Sequence, residues 1–251
     1  MTAERVIEVS AGSYGTVRCT TATHPGARRA SNQDALLSRP DLGLWAVADG
    51  AGGHSRGEAA AQAVVAALDA VAGGRTAADL LIEVRRRLLA AHRTLFDLAV
   101  EAGDGMMAST VVALILRDGH FACLWAGDSR AYLARGGAVE RLTVDHSVVQ
   151  DLLAAGAIGS AEAEDHPDAN VITRAVGAGA HDLEIDKRIG DTLAGDRLLL
   201  CSDGISKALP PAELAGHLCG GAVAETFVLA ALARQAADNI SAVVVDVLLT
   251  R

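Results

Sequence analysis

The sequence predicts an α+β domain in which an antiparallel sheet is covered by helices on one side and by a second sheet on the other. Three observations carry this. Residues 109–117 and 120–126 are nearly continuous apolar runs joined by Asp118-Gly119, a dipeptide that favours a tight hairpin. Runs apolar on both faces need cover on both sides. Finally, 51% of the chain is hydrophobic but only 3% is aromatic, so the core is built from Ala, Val, Leu and Ile, which suits sheets and closely packed helices.

In chain order, β-favouring residues between 5 and 23 predict one or two edge strands. Residues 24–34 form a polar loop carrying Arg28, Arg29, Asn32 and Asp34. Strands follow at 35–39 and 42–49, joined by a turn at Pro40-Asp41. The second ends abruptly in Asp49, and three glycines, Gly50, Gly52 and Gly53, follow before Ser55 and Glu58 open an alanine-rich helix. Ser and Glu three apart read as a capping box. That helix spans about 58–71 and stops at Gly73-Gly74. Thr76 and Asp79 cap a second helix to about 102, with Leu80, Leu81, Val84, Leu88, Leu89, Leu95 and Leu98 near one face and Arg85, Arg86 and Arg87 as its solvated side. The runs at 109–117, 120–126, 130–134 and 138–142 predict one antiparallel meander. A polar stretch at 144–168 reads as a flap. Strands near 184–189 and 197–203, helices at 211–218 and 223–237 and a final strand at 240–249 complete the chain.

The formal net charge of −9 excludes nucleic acid and an anionic membrane as main partners, since both need clustered Lys and Arg. The four cysteines form no CxxC pair, and Cys123 and Cys201 lie in apolar runs where a thiol acts as a small hydrophobe. Reduced cysteines, no apolar signal core and no apolar run of ~20 residues lead to the expectation of a cytoplasmic monomer with a single domain over 1–251.

The chemistry concentrates on acids at strand ends. Asp49-Gly50 and Asp203-Gly204 each end an apolar strand, and Asp238-Asn239 immediately precedes the last one. If the last strand runs antiparallel to either, all three acids reach the same sheet edge. Like charges repel there and desolvation raises their pKa values, so divalent cations are the natural compensation. Oxygen donors without His or Cys point to Mg²⁺ or Mn²⁺ rather than zinc. The competing reading, acids facing solvent at unrelated strand ends, is weakened by their matching Asp-Gly or Asp-Asn context.

These segments, with Arg29-x-x-Asn-Gln-Asp34, Ala108-Ser-Thr110, Ala126-Gly-Asp-Ser-Arg-Ala-Tyr132, Leu142-Thr-Val-Asp-His-Ser147 and Ile172-Thr-Arg-Ala-Val-Gly177, stand in the order found in metal-dependent protein serine/threonine phosphatases of the PP2C (PPM) family. Each is weak alone, and the ordered set is specific; the chain resembles the bacterial type. The resemblance implies a four-layer α-β-β-α sandwich with two central antiparallel sheets and a binuclear Mn²⁺ or Mg²⁺ site. Asp49 would bridge the ions, the Gly50 carbonyl would ligate one, and Asp203 and Asp238 would complete the other. Asp128 would help bind a third, weaker ion. Water between the metals would attack phosphorus directly, Arg29 would hold the phosphate, Asp34 would orient water and Asn239 would position its neighbour or a water.

Several positions depart from the family pattern. Gln33 replaces the usual Glu before Asp34. Ala51 stands where His or Met is common, which removes a general acid, and His54 matches the bacterial pattern as a structural residue. Lys207 replaces an acid; if the segment after Asp203 turns helically, its ammonium points back at the acids and leaves the third site weak or absent. Gln33 and Lys207 keep open an alternative, a pseudophosphatase that binds a phosphorylated partner without turnover. The wording around Thr23-His-Pro-Gly26 and Leu44-Trp-Ala-Val-Ala-Asp49 resembles phosphatases that oppose a serine/threonine kinase in bacterial secretion systems, so the expected partner is the phosphorylated substrate of such a kinase.

Overall fold

The computed structural model describes residues 7–11, 15–52, 55–73, 76–103, 106–164, 166–179 and 181–249. One sheet has the order β1 (Ile7–Ala11), β2 (Gly15–His24), β12 (Ile240–Leu249), β11 (Arg197–Cys201), β8 (Arg130–Arg135), β9 (Ala138–Arg141). The other has β10 (Asp186–Asp191), β7 (His120–Ala126), β6 (Val111–Arg117), β4 (Leu44–Ala51), β3 (Asp34–Arg39), with the short β5 (Ala108–Ser109) paired to the end of β4. Neighbouring strands are antiparallel throughout.

The alternation of side chains along each strand divides the core into three sheets of packing. Along β4, Leu44, Ala46 and Ala48 face α1 (Ser55–Asp69) and α2 (Ala77–Ala102), while Trp45 and Val47 face the opposite sheet. Trp45, Leu114, Cys123, Leu198, Leu200, Val243 and Val245 fill the space between the sheets. On the outer face of the first sheet, Leu199, Ala242 and Val244 pack under α5 (Asp203–Ser206), α6 (Pro211–Cys219) and α7 (Ala224–Ala233). The result is the expected four-layer α-β-β-α sandwich.

Local signals hold where backbone chemistry decides. Asp118 and Gly119 both take positive φ (54° and 76°), the condition for the tight hairpin between β6 and β7. Thr76 and Asp79 form the reciprocal capping box of α2, and Gly103 closes it in the left-handed region. In α1, Ser55 already belongs to the helix, three residues earlier than expected; its side chain and His54 lie outside the described residues.

Tertiary context corrects four readings. Of the strands in 5–23, β1 is an edge strand as expected, but β2 is interior, between β1 and β12. The meander is not one sheet: after β7 the chain crosses, and β8 joins β11 in the facing sheet while β10 takes the open side of β7. Gly127 makes the crossing possible; its φ is 117°, and a Cβ there would sit 2.5 Å from the Thr110 side chain. On α2, Leu98 is exposed rather than on the packed face, while Arg85 and Arg86 are exposed as expected, Arg85 also donating to the Ile185 carbonyl at 3.0 Å. The stretch 144–168 is anchored at its start, where Asp145, His146 and Ser147 are buried; only α3 (Val148–Ala154), α4 (Ser160–Glu164) and their loops stand off the sandwich.

One charged cross-strand pair fixes an outer helix to the sheet. Arg197 faces Asp246 in register and binds it at 2.5 Å, while its other nitrogens donate to the carbonyls of Leu218 and Ala222 at 2.8 and 2.6 Å, closing the end of α6. Arg197→Ala leaves Asp246 with Arg18 as its one cationic partner and the Leu218 and Ala222 carbonyls without Arg197. We expect a loss of about 3 kcal/mol in urea unfolding; a midpoint unchanged from wild type would contradict this role.

Candidate active site

Two acids come from the second sheet. Asp34 begins β3 and Asp49 lies opposite it near the end of β4. The backbone of Asp49 is held by Thr110, whose hydroxyl accepts from Asp49 N at 3.2 Å and whose own N–H donates to the Asp49 carbonyl at 2.8 Å. The strand then runs hard against the first turn of α1. A Cβ at Gly50 would lie 2.1 Å from the Gly57 carbonyl oxygen, and one at Gly57 would lie 2.8 Å from the Gly50 oxygen. The glycines after Asp49 therefore serve close strand–helix packing as well as turning.

The other three acids come from the first sheet. Asp128 precedes β8, Asp203 opens the single turn α5 just past β11, and Asp238 precedes β12. Two of these turns interlock, since a Cβ at Gly204 would fall 1.9 Å from the Asn239 carbonyl oxygen. The acids were expected on one sheet edge. They instead meet across the sandwich, because the strands ending in Asp49 and Asp203 belong to facing sheets. Ser202 spans the gap: its hydroxyl donates to Asp34 Oδ2 at 2.9 Å and accepts from Ser241 N at 3.0 Å. Nothing in the residue type singled out Ser202; its place beside Asp203 is the one signal.

The electrostatics are those of uncompensated crowding. Burial, then Asp34, Asp203, Asp128 and Asp238, push the Asp49 carboxyl well above the usual carboxylate range. Asp34 is pushed up to about 7, mainly by burial, against the opposing bonds from Ser241 and Ser202. Asp128 is pushed up to about 6 by burial and by Asp203, with Lys207 pulling the other way. Oδ1 of Asp34 and Oδ1 of Asp203 are buried without a hydrogen-bond partner among the described residues. No three acidic, His or Cys side chains among those residues close around a common point.

Two basic side chains compensate the periphery. Arg29 grips Asp238 with both arms of its guanidinium, Nε and Nη2 each at 2.9 Å. Lys207 ends the turn that Asp203 begins, and its ammonium folds back to Asp203 Oδ2 at 2.6 Å and Asp128 Oδ2 at 3.6 Å, as its spacing predicted. Asn239 is buried and uses its whole amide on the loop that carries Arg29: Oδ1 accepts from Gln33 N at 2.8 Å, and Nδ2 donates to the carbonyls of Pro25 and Ser31 at 2.9 Å each. It positions the loop rather than facing the acids. Ala51 pairs with Ala108 and brings no titratable group.

Orphaned acid oxygens on the strand ends of a four-layer sandwich define a class, and comparison with known proteins agrees. The sequence model of the protein phosphatase 2C family matches residues 24–238. The serine/threonine protein phosphatase PstP of Mycobacterium tuberculosis is 34% identical over 226 residues, which cover 88% of this chain and 43% of PstP. The chain thus spans less than half the length of that relative. The serine/threonine phosphatase Stp of Listeria monocytogenes is 32% identical over 236 residues, 89% of this chain and 93% of its own. Among solved structures, PppA, described as a key regulatory component of T6SS in Pseudomonas aeruginosa, superposes with a TM-score of 0.86 at 38% identity, covering 94% of this chain and 99% of PppA. The catalytic domain of PstP, solved in complex with two manganese ions, gives 0.78 at 31% identity, covering 93% and 99%. The chain belongs to the protein phosphatase 2C family.

Asn239→Ala would leave Gln33 N and the Pro25 and Ser31 carbonyls unmet and free the 25–33 loop. Trypsin is expected to cut after Arg28 and Arg29 faster than in the wild type, by at least about tenfold for three lost hydrogen bonds. Equal cleavage, followed by mass spectrometry, would show that the loop is held by other contacts.

Proposed function

We propose that this chain is a metal-dependent protein serine/threonine phosphatase that hydrolyses phosphoserine and phosphothreonine on protein substrates. The observation that carries the reading is the cluster of five carboxylates drawn from two sheets, with buried oxygens left unpartnered at Asp34 and Asp203. An all-oxygen donor set of this kind fits hard divalent ions, Mg²⁺ or Mn²⁺. Such ions, when bound, supply the charge that acidifies water and neutralises a phosphate.

Each residue has a task set by its surroundings. Asp49, central among the acids, would lie between two ions, with the Gly50 carbonyl serving one and Asp203 and Asp238 the other. Asp34, which accepts from the Ser202 hydroxyl, would orient a water within the cluster. Arg29 presents a planar fork, shown by its two-armed hold on Asp238, that matches two phosphate oxygens equally well. With alanine at 51 the chain offers no imidazole to the leaving oxygen there, so solvent supplies that proton. Lys207 stands between Asp128 and Asp203, which supports two tightly held ions and a third that is weak or absent.

PstP and Stp are serine/threonine phosphatases, and the intact acids give no support to a binding-only role. The substrates are phosphoproteins made by a cognate serine/threonine kinase. We place the protein in the cytoplasm as a monomer, a reading that rests on its acidity and its free, largely buried thiols. No described helix is long and apolar enough to cross a membrane.

Steady-state hydrolysis of a phosphothreonine peptide tests this. Turnover should require Mn²⁺ or Mg²⁺, vanish in excess chelator and in Asp49→Asn, and return when metal is restored to the wild type. Arg29→Ala should raise KM by about a hundredfold, the worth of two charge-assisted bonds made already in the ground state. Full activity in chelator or in Asp49→Asn would end the metal-dependent reading.

A further inference from the structure

The segment from α3 to Val171 leaves the sandwich and returns to it. Its base is closed by backbone bonds, Val148 N to the Val171 carbonyl at 2.9 Å and Thr173 N to the His146 carbonyl at 2.8 Å. Beyond that base, α3 and α4 pack on each other, and Gln150 receives only a long 3.5 Å contact from Arg141. One side chain joins the segment to the acids of the site. Lys207 Nζ donates to Asn170 Oδ1 at 2.8 Å while holding Asp203 Oδ2 at 2.6 Å and standing 3.6 Å from Asp128 Oδ2. Among the described residues the 148–171 segment makes no direct side-chain hydrogen bond to those acids, and Lys207 is its link to them.

The geometry uses what a lysine can do. An ammonium has three donors and no acceptor, so it bridges three oxygens as a small cation does, but on a covalent tether. The tether is short and fixed here, because the one-turn helix α5 sets Lys207 directly over Asp203 through the Lys207 N to Asp203 carbonyl bond at 2.8 Å. The three oxygens belong to three separate stretches of chain: the turn after β11, the crossing between β7 and β8, and the returning limb of the flap. We propose that Lys207 is a positioning residue, a built-in cation that latches the flap at Asn170 onto Asp203 and Asp128, so that the flap stays docked at the mouth of the site without an added ion. Resting on the phosphatase reading, the latch would set how a folded phosphoprotein, larger than the site itself, is held against that mouth.

Hydrogen–deuterium exchange on the full chain in metal-free buffer tests the latch apart from catalysis. Amides within 148–171 should exchange about tenfold faster in Lys207→Met and in Asn170→Ala, for loss of one charge-assisted bond. Amides of β11 should be unchanged, and Asn170→Asp, which keeps an acceptor, should exchange like the wild type. Asn170→Ala leaves every acid paired as before, so it reports even where Lys207→Met unfolds the turn. Wild-type exchange at 148–171 in Asn170→Ala would overturn the latch. In turnover, Asn170→Ala should raise KM for a phosphoprotein several-fold and leave p-nitrophenyl phosphate hydrolysis unaltered. An unchanged phosphoprotein KM with faster exchange would overturn the substrate-holding part, and no hydrolysis by any variant or the wild type would sink the phosphatase reading while the exchange result stands.

Discussion

Repulsion among Asp34, Asp49, Asp128, Asp203 and Asp238 is the constraint that orders the rest of this structure. Carboxylates do not gather at the end of a sandwich unless the backbone forces them together, and here it does. Asp34 and Asp49 are locked opposite each other by strand register, and Asp203 and Asp238 by the pairing of β11 with β12. Two sheets then press these ends toward one another, with Ser202 reaching across. The charge is eased only at the rim, by Arg29 on Asp238 and Lys207 on Asp203 and Asp128. Asp49, in the middle, has neither. Its raised pKa is the local sign of a site built around a charge that the chain itself does not supply.

Holding such a cluster needs rigid surroundings, and small residues provide them. Gly50 against Gly57 and Gly204 against the Asn239 carbonyl allow backbone to meet backbone beside the acids, where any side chain would force the strand ends apart. Asn239 then fixes the loop that carries Arg29. The core behind them is mostly aliphatic, with Trp45, Phe121 and Trp125 between the sheets and Phe227 under the outer helices.

Much of this was legible from residue order, for reasons that differ by feature. The hairpin at Asp118-Gly119 and the cap at Thr76 were readable because they depend on a few adjacent residues. Asp49 and Asp203 were readable because Asp-Gly after an apolar strand is a local pattern, and Asp238 because Asp-Asn directly precedes one, whereas Asp34 and Asp128 came only from the resemblance to the family. Which sheet each strand joins was not, since β7 and β8 are neighbours in sequence and only Gly127 and the competition from β10 send them apart. For the same reason the acids were placed on one edge rather than across two. Lys207 was foreseen to turn back because helical spacing of four residues decides it, whereas its bond to Asn170, 37 positions away, depends on the path of the flap. The task of Asn239 was only half visible: its adjacency to Asp238 suggested positioning, but its three loop partners lie more than 200 residues earlier.

If crowded charge awaiting divalent ions is the organising feature, stability must report it directly. Thermal unfolding of the wild type and Asp49→Asn, in metal-free buffer and with rising Mn²⁺, makes the comparison. The account predicts that Asp49→Asn is the more stable of the two without metal, because one repelling charge is gone, and that Mn²⁺ raises the wild-type melting temperature by mass action while moving the variant far less. A wild type indifferent to Mn²⁺, together with a variant that melts lower than the wild type without metal, would contradict it.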